Sequence, residues 1–174
     1  EAISELESDS DFVVIGKRGE AADFAKLHLG SNLERISRTC QKPVFVTSRE
    51  FKPINQFLIA YDGGVSSMKA VDQVAQNILF SGLQCRLLTV GPETEETRNG
   101  LNEAQAKLEA AGYAVTADII QGQPEAVISK MVETDGIDLM VMGAYGHSRI
   151  RNLIIGSTTT EMVRECKIPI VFFR

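Results

Sequence analysis

The sequence predicts a doubly wound α/β protein, a five-stranded parallel sheet with helices on both faces, preceded by a strand-helix-strand segment from an earlier repeat. Three observations predict it. Short runs rich in Val, Ile, Leu and Phe recur along the chain, amphipathic stretches of helical period separate them, and one part of the chain repeats another. Strands that are apolar along their whole length are expected where helices cover both faces of a parallel sheet, and each parallel connection needs a crossover.

Taken in order, residues 1–7 read as the remnant of a helix, 12–15 as a strand, about 32–38 as a helix and 44–47 as a strand. Further strands are expected over 57–61, 85–90, 114–120, 139–142 and 168–173. Met68, Val71, Val74, Ala75 and Ile78 mark one helical face between them. Leu101, Ala104, Leu108 and Ala111 mark a second, and Ile128, Met131 and Val132 a third. Ser66 is suited to cap the first of these helices, Gly112 and Gly136 to close the second and third, and Pro124 to open the third. Asn99-Gly100 weakens the start of the second.

The repeat sets the domain organisation. Asp11-Phe-Val-Val-Ile-Gly16-Lys-Arg-Gly19 parallels Asp138-Leu-Met-Val-Met-Gly143-Ala-Tyr-Gly146 at an offset of 127. With one residue of slippage, Gly30-Ser31, Arg38, Cys40 and Pro43 then meet Gly156-Ser157, Arg164, Cys166 and Pro169. About 85 residues from Lys52 precede Asp138, whereas ten precede Asp11. The expectation is that residues 1–50 are the C-terminal third of a first domain, that 51–174 are a complete one, and that the chain is the C-terminal part of a tandem protein.

Composition excludes several classes. The 174 residues carry 18 Lys and Arg against 23 Asp and Glu, a net charge of −5, with 44% hydrophobic residues. That is too apolar for a disordered chain and too mixed for a coiled coil. No run approaches the roughly 20 apolar residues of a membrane span, and the first residues lack the pattern of a signal peptide. A soluble, cytoplasmic protein is expected, with neither nucleic acid nor membrane as partner. Cys40, Cys85 and Cys166 are widely spaced without neighbouring His, which points to buried thiols rather than a metal or disulfide framework.

Ligands of such sheets bind beyond the carboxyl ends of the strands. Asp62-Gly63-Gly64 follows the first strand of the complete domain, Gly91 the second, and Gly143-Ala-Tyr-Gly146 the fourth. Nine residues after Gly146, Gly156-Ser157 opens the last helix, giving G-x-x-G-x9-G-S. Glycines admit a ligand to the backbone, and a helix N-terminus offers unpaired N–H groups to an anion. Thr158 to Thr160 add hydroxyls, while Arg149 and Arg151 stand in the loop without an acid, which favours phosphate. Ordinary structural roles compete with these: Asp62 as a turn cap, and Ser157 with Thr158-Thr-Thr-Glu161 as a helix cap. His147 has no second ligand at metal spacing. No G-x-S-x-G, H-E-x-x-H, G-x-x-x-x-G-K-[ST] or G-x-G-x-x-G motif occurs, so no catalytic residue is assigned.

The Tyr-Asp-Gly-Gly run at 61–64 and the glycine pattern from Gly143 to Ser157 make the chain resemble the universal stress protein family over its whole length. The resemblance implies a Rossmann-like sheet in the order 3-2-1-4-5, which places Asp62 beside Gly143. It further implies an ATP (or ADP or AMP) site, with Mg2+ bridging the phosphates. Asp62 and the backbone near Val90 would face adenine, Met142 and Gly143 would lie along adenine and ribose, and Gly146, Gly156, Ser157 and Thr158 would hold phosphates with Arg149 nearby. Tyr145 departs from the His that some members carry there, whereas the small pair Gly156-Ser157, which the non-binding branch lacks, is kept. The first copy has Gly16, Gly19, Gly30 and Ser31 but no counterpart of Asp62 or Val90, so it is suited to phosphate and not to adenine. The implied function is an ATP-binding stress-response or signalling module with at most slow hydrolysis. A nucleotide-free dimerisation or scaffold module of the same fold is the alternative, and a true ATPase the third. In the family, last strands meet at the sheet edges, so 44–47 is expected antiparallel to 169–173. The faces that residues 1–50 leave bare imply a homodimer or pairing with the missing N-terminal portion.

Overall fold

The computed structural model describes residues 7–16, 36, 39–48, 50–143 and 167–173. Seven strands form one sheet: β1 (Val13–Gly16), β2 (Val44–Thr47), β3 (Gln56–Ala60), β4 (Gln84–Val90), β5 (Val115–Ile120), β6 (Leu139–Gly143) and β7 (Ile170–Phe173). Three helices are described: α1 (Val65–Gln76), α2 (Glu95–Ala110) and α3 (Pro124–Thr134). The spatial order is β1-β2-β7-β6-β3-β4-β5. Counted from β3, the last five strands therefore run 3-2-1-4-5, all parallel. The expected junction is present as well. β2 runs antiparallel to β7, with Val44 opposite Phe172 and Val46 opposite Ile170, and β1 lies parallel to β2 at the edge. The helix expected at about 32–38 lies outside the described residues except for Ile36, which is helical.

The alternation of side chains along the strands divides the core into two layers. Phe57, Ile59, Val141, Val171 and Phe173 face α1 and α2, whose Val71, Val74, Leu101, Ala104 and Leu108 close that layer. Leu58, Ala60, Leu88, Met140, Met142, Ile170 and Phe172 face the opposite side, where Ile128 and Met131 of α3 cover them. The repeated Asp ahead of a strand has a structural use in the second copy. Asp138 Oδ2 accepts from the backbone N–H groups of Asn55 and Gln56 at 2.9 and 3.1 Å, which ties the start of β3 to that of β6.

Helix ends agree with the sequence in part. Gly112 and Gly136 follow α2 and α3 at φ of 93° and 70°, a conformation that favours glycine, and Pro124 is the first residue of α3. Ser66 is not a cap: α1 starts at Val65 from Gly64, with no side-chain cap at all. Ile78 does not extend the face of α1. The helix ends at Asn77, whose side chain accepts from Leu79 N–H and starts a 3-10 turn, leaving Ile78 87% exposed. Ala111 is likewise exposed, beyond the end of α2.

Asn99-Gly100 lies inside α2 rather than at its start. The helix begins four residues earlier at a reciprocal cap, Thr94 Oγ1 accepting from Thr97 N–H and Thr97 Oγ1 from Thr94 N–H. Gly100 therefore carries the entropic penalty of an interior helical glycine. A Cβ there would stand 3.5 Å from the Tyr61 hydroxyl, an ordinary contact. Gly100→Ala is expected to raise the unfolding free energy by about 0.5–1 kcal/mol, read from urea midpoints at unchanged slope; a drop in stability would contradict it.

Cys40 and Cys85 are buried, as expected, and Cys166 lies outside the described residues.

Candidate functional site

In the last five strands the connections leave in opposite directions from one point. β3 leads through α1 to β4 on one side, while β5 returns through α3, on the other face, to β6 beside β3. A crevice at the carboxyl ends of β3 and β6 follows from this divergence. Ala60 pairs with Met142 at the ends of the two strands, which brings Asp62 close to Gly143.

Asp62 is held from its own loop. Its Oδ1 accepts from Gly64 N–H at 2.9 Å and from the Ser67 hydroxyl at 2.5 Å, and its N–H donates to Ser67 Oγ at 3.4 Å. Gly63, at φ 77°, makes the turn between them. Asp62 therefore does have the turn-capping role. That role uses one oxygen only. Oδ2 is buried and has no hydrogen-bond partner among the described residues. A buried acceptor left unmade costs free energy, and a carboxylate locked at one oxygen presents the other as a fixed acceptor. Tyr61, next along, holds its phenolic proton above the ordinary range because it is buried, with the carboxylates of Glu103 and Asp62 adding to the effect.

Gly143 has a packing reason that its sequence context does not show. A Cβ at this position would lie 2.3 Å from the Ser66 carbonyl oxygen, so only glycine lets the end of β6 meet the first turn of α1. Met142 is 1% exposed, its side chain locked in the α3-side layer, which leaves only its main chain for a ligand. Val90 ends β4, half-buried on the same side. The β3–β4 ladder stops short of it, at Ala60 opposite Leu88 with Tyr61 N–H donating to Leu88 O at 2.8 Å. Asp62, Val90, Met142 and Gly143 thus share the carboxyl end of neighbouring strands. Gly146, Arg149, Gly156, Ser157 and Thr158 lie outside the described residues, as do Arg151, His147 and Gly19, Gly30 and Ser31 of the first copy.

Sequence reasoning missed Ser67, the group that fixes Asp62. Its signal was a small polar residue on the apolar face of α1, where it is buried at 3% exposure one position before Met68.

Residues 88–174 match the Universal stress protein family. The chain is 40% identical over 176 residues to the universal stress protein Slr1230 of Synechocystis, an alignment spanning all of this chain and 61% of that protein. Among solved structures, a universal stress protein from Archaeoglobus fulgidus superposes with a TM-score of 0.75 at 22% identity, covering 99% of this chain and 64% of that one. A universal stress protein in complex with cAMP superposes at 0.57 with 23% identity, over 71% of this chain and 98% of that one. An Arabidopsis thaliana family protein with AMP bound does so at 0.51 with 19% identity, over 70% and 90%. The chain belongs to the universal stress protein family. It spans about three fifths of the length of the Synechocystis and Archaeoglobus proteins, and among the described residues no helix is long and apolar enough to cross a membrane.

Proposed function

We propose that residues 51–174 form one domain that binds an adenine nucleotide, ATP or its ADP or AMP counterpart, at the carboxyl ends of β3 and β6, and that occupancy of this site serves cytoplasmic stress-response signalling. The observation that carries the reading is Asp62: a carboxylate fixed through Oδ1 by Ser67 and Gly64, with a buried Oδ2 at the strand divergence that has no partner among the described residues. That oxygen suits a donor such as an exocyclic amine, with the main chains of Val90, Met142 and Gly143 beside it. Gly146, Gly156, Ser157 and Thr158, with Arg149, are the proposed phosphate holders, on the spacing G-x-x-G-x9-G-S. Bound cAMP and AMP in two structural neighbours support the nucleotide class.

Mg2+ would enter with the phosphates, whose charge it neutralises; the described residues include no group of three or more His, Cys, Asp or Glu placed to hold an ion. With no assigned base, hydrolysis is at most slow. The nucleotide-free scaffold reading is favoured by the β2–β7 junction, which joins the remnant of one repeat to a complete sheet without using the crevice. In either case residues 1–50 belong to a preceding domain, and the exposed edge of β1 pairs with that domain's missing part or with a second chain.

Calorimetric titration of ATP with Mg2+ into the chain tests the reading. Saturable binding is expected, weakened roughly tenfold in Asp62→Ala, about the worth of one hydrogen bond to a charged group. No heat and no thermal stabilisation of the unaltered protein would end the nucleotide reading and leave the scaffold.

A further inference from the structure

On the α1 and α2 side of the same strand ends lies a cavity. Val90 and Met142 face the α3 side, whereas Tyr61 and Thr89 face α1 and α2. The N-terminal parts of both helices, as far as Asp72 and Glu103, and the ends of β3 and β4 enclose an open pocket of about 620 Å³. Among the described residues of the lining, Asp62, Asp72, Glu96 and Glu103 face one cation, Lys69, and Asp72 is paired with Lys107 at 2.9 Å. A phosphate would meet a repulsive field here.

Carboxylates at the rim of a pocket are an ordinary solvated surface. What distinguishes this one is its floor. Thr89 is 5% exposed, and its hydroxyl has no hydrogen-bond partner among the described residues. Asp62, another residue of the lining, also has an Oδ2 without a hydrogen-bond partner among the described residues. A carboxylate oxygen, which can only accept, and a hydroxyl, which can accept or donate, are thus left without partners among the described residues, which is unusual for buried polar groups. The carboxylates do not converge on a point: no group of them among the described residues could hold a metal ion. Dispersed negative charge, unpartnered acceptors at the floor, and the Tyr61 ring and Met68 as an apolar wall call for an extended ligand with positive ends and an apolar middle.

We infer that this pocket binds a small aliphatic polyamine, its ammonium groups set toward Glu96, Glu103 and the Thr89–Asp62 floor and its methylenes against Tyr61 and Met68. Ammonium groups supply the donors that the floor lacks, and methylene spacers let one ligand reach separated carboxylates without a converging site. Thr89, Glu96 and Glu103 play no part in the nucleotide reading; Asp62 Oδ2 is common to both, so a nucleotide amine bound there would compete with the ammonium at that oxygen while the contacts at Thr89, Glu96 and Glu103 remain.

The test is calorimetric titration of spermidine into the full chain at low salt, against sodium chloride of equal ionic strength. Saturable binding of one spermidine per chain is expected, weakened about fivefold or more by Thr89→Val and by Glu103→Gln. Glu133→Gln removes an exposed carboxylate on α3, away from the pocket, and should change affinity less than about twofold. Three results would overturn the inference: no saturable heat, an equal loss in Glu133→Gln, which would mean diffuse charge attraction, or wild-type affinity in Thr89→Val with an unchanged circular dichroism spectrum. Should Thr89→Val fail to fold, Glu103→Gln, an exposed change on α2, decides alone.

Discussion

Gly143→Ala is expected to lower the unfolding free energy by about 3 kcal/mol, the upper part of the range for overpacking a tight contact. The added methyl would stand 2.3 Å from Ser66 O, 2.4 Å from Ser66 C and 2.8 Å from Ser67 N. All three are main-chain atoms in the first turn of α1, so no rotamer change relieves the clash; the turn must move away from β6. That turn carries Ser67, whose hydroxyl holds Asp62 Oδ1. Displacing it loosens the Asp62 carboxylate, so nucleotide affinity should fall along with stability. Urea unfolding monitored by circular dichroism, together with the ATP titration, checks both. A variant within about 0.5 kcal/mol of the parent would show that the helix is free to shift, and the packing account of this glycine would be wrong.

The glycine illustrates what sequence reading reached and what it did not. The apolar runs and their helical partners gave the layers, because which residues are buried is a local property that periodicity records. The adjacency of Asp62 and Gly143 follows from the strand order that the family resemblance implies. What periodicity does not record is where the end of one element meets the end of another. Gly143 was read as an opening for a ligand, yet the contact with Ser66 already requires it. Sequence context suits Ser66 to capping, yet α1 has no side-chain cap, Asp62 serves the turn and Ser67 serves Asp62. Ile78 fits the helical spacing of α1, and the error there came from Asn77, whose side-chain bond to Leu79 N–H ends one helix and starts a different turn. Asn99-Gly100 was weighed by propensity, which the Thr94–Thr97 cap and burial of Leu101 override. The acid-lined pocket was invisible because Asp62, Thr89, Glu96 and Glu103 come from three separate segments with no shared motif.

Alkaline pH should destabilise the protein through Cys85. The thiol sits at 1% exposure in the layer under α1 and α2, and burial pushes it from 9.0 to about 12. The folded chain therefore keeps a proton that the unfolded chain gives up. Below pH 9 both states hold it and stability is undiminished. Between pH 9 and 12 only the unfolded state releases it, so stability falls with a slope approaching about 1.4 kcal/mol per pH unit, on the order of 4 kcal/mol over the window. Tyr61 and Tyr113 act with the same sign at higher pH. Burial is the main cause in each, with Glu103 and Asp62 assisting at Tyr61 and the Cys85 thiolate at Tyr113. Lysines and exposed groups titrate in the same range, so the decisive quantity is a difference. Urea unfolding free energies of the parent and Cys85→Ala, measured under reducing conditions at pH 8, 9 and 10, should converge as pH rises, because the variant lacks the proton whose retention the parent loses. The cavity left by the thiol lowers the variant's stability at every pH without altering the slope. Parallel curves across that interval would mean that the thiol ionises as readily in the folded chain as in the unfolded one, and that the layer beneath α1 and α2 admits water.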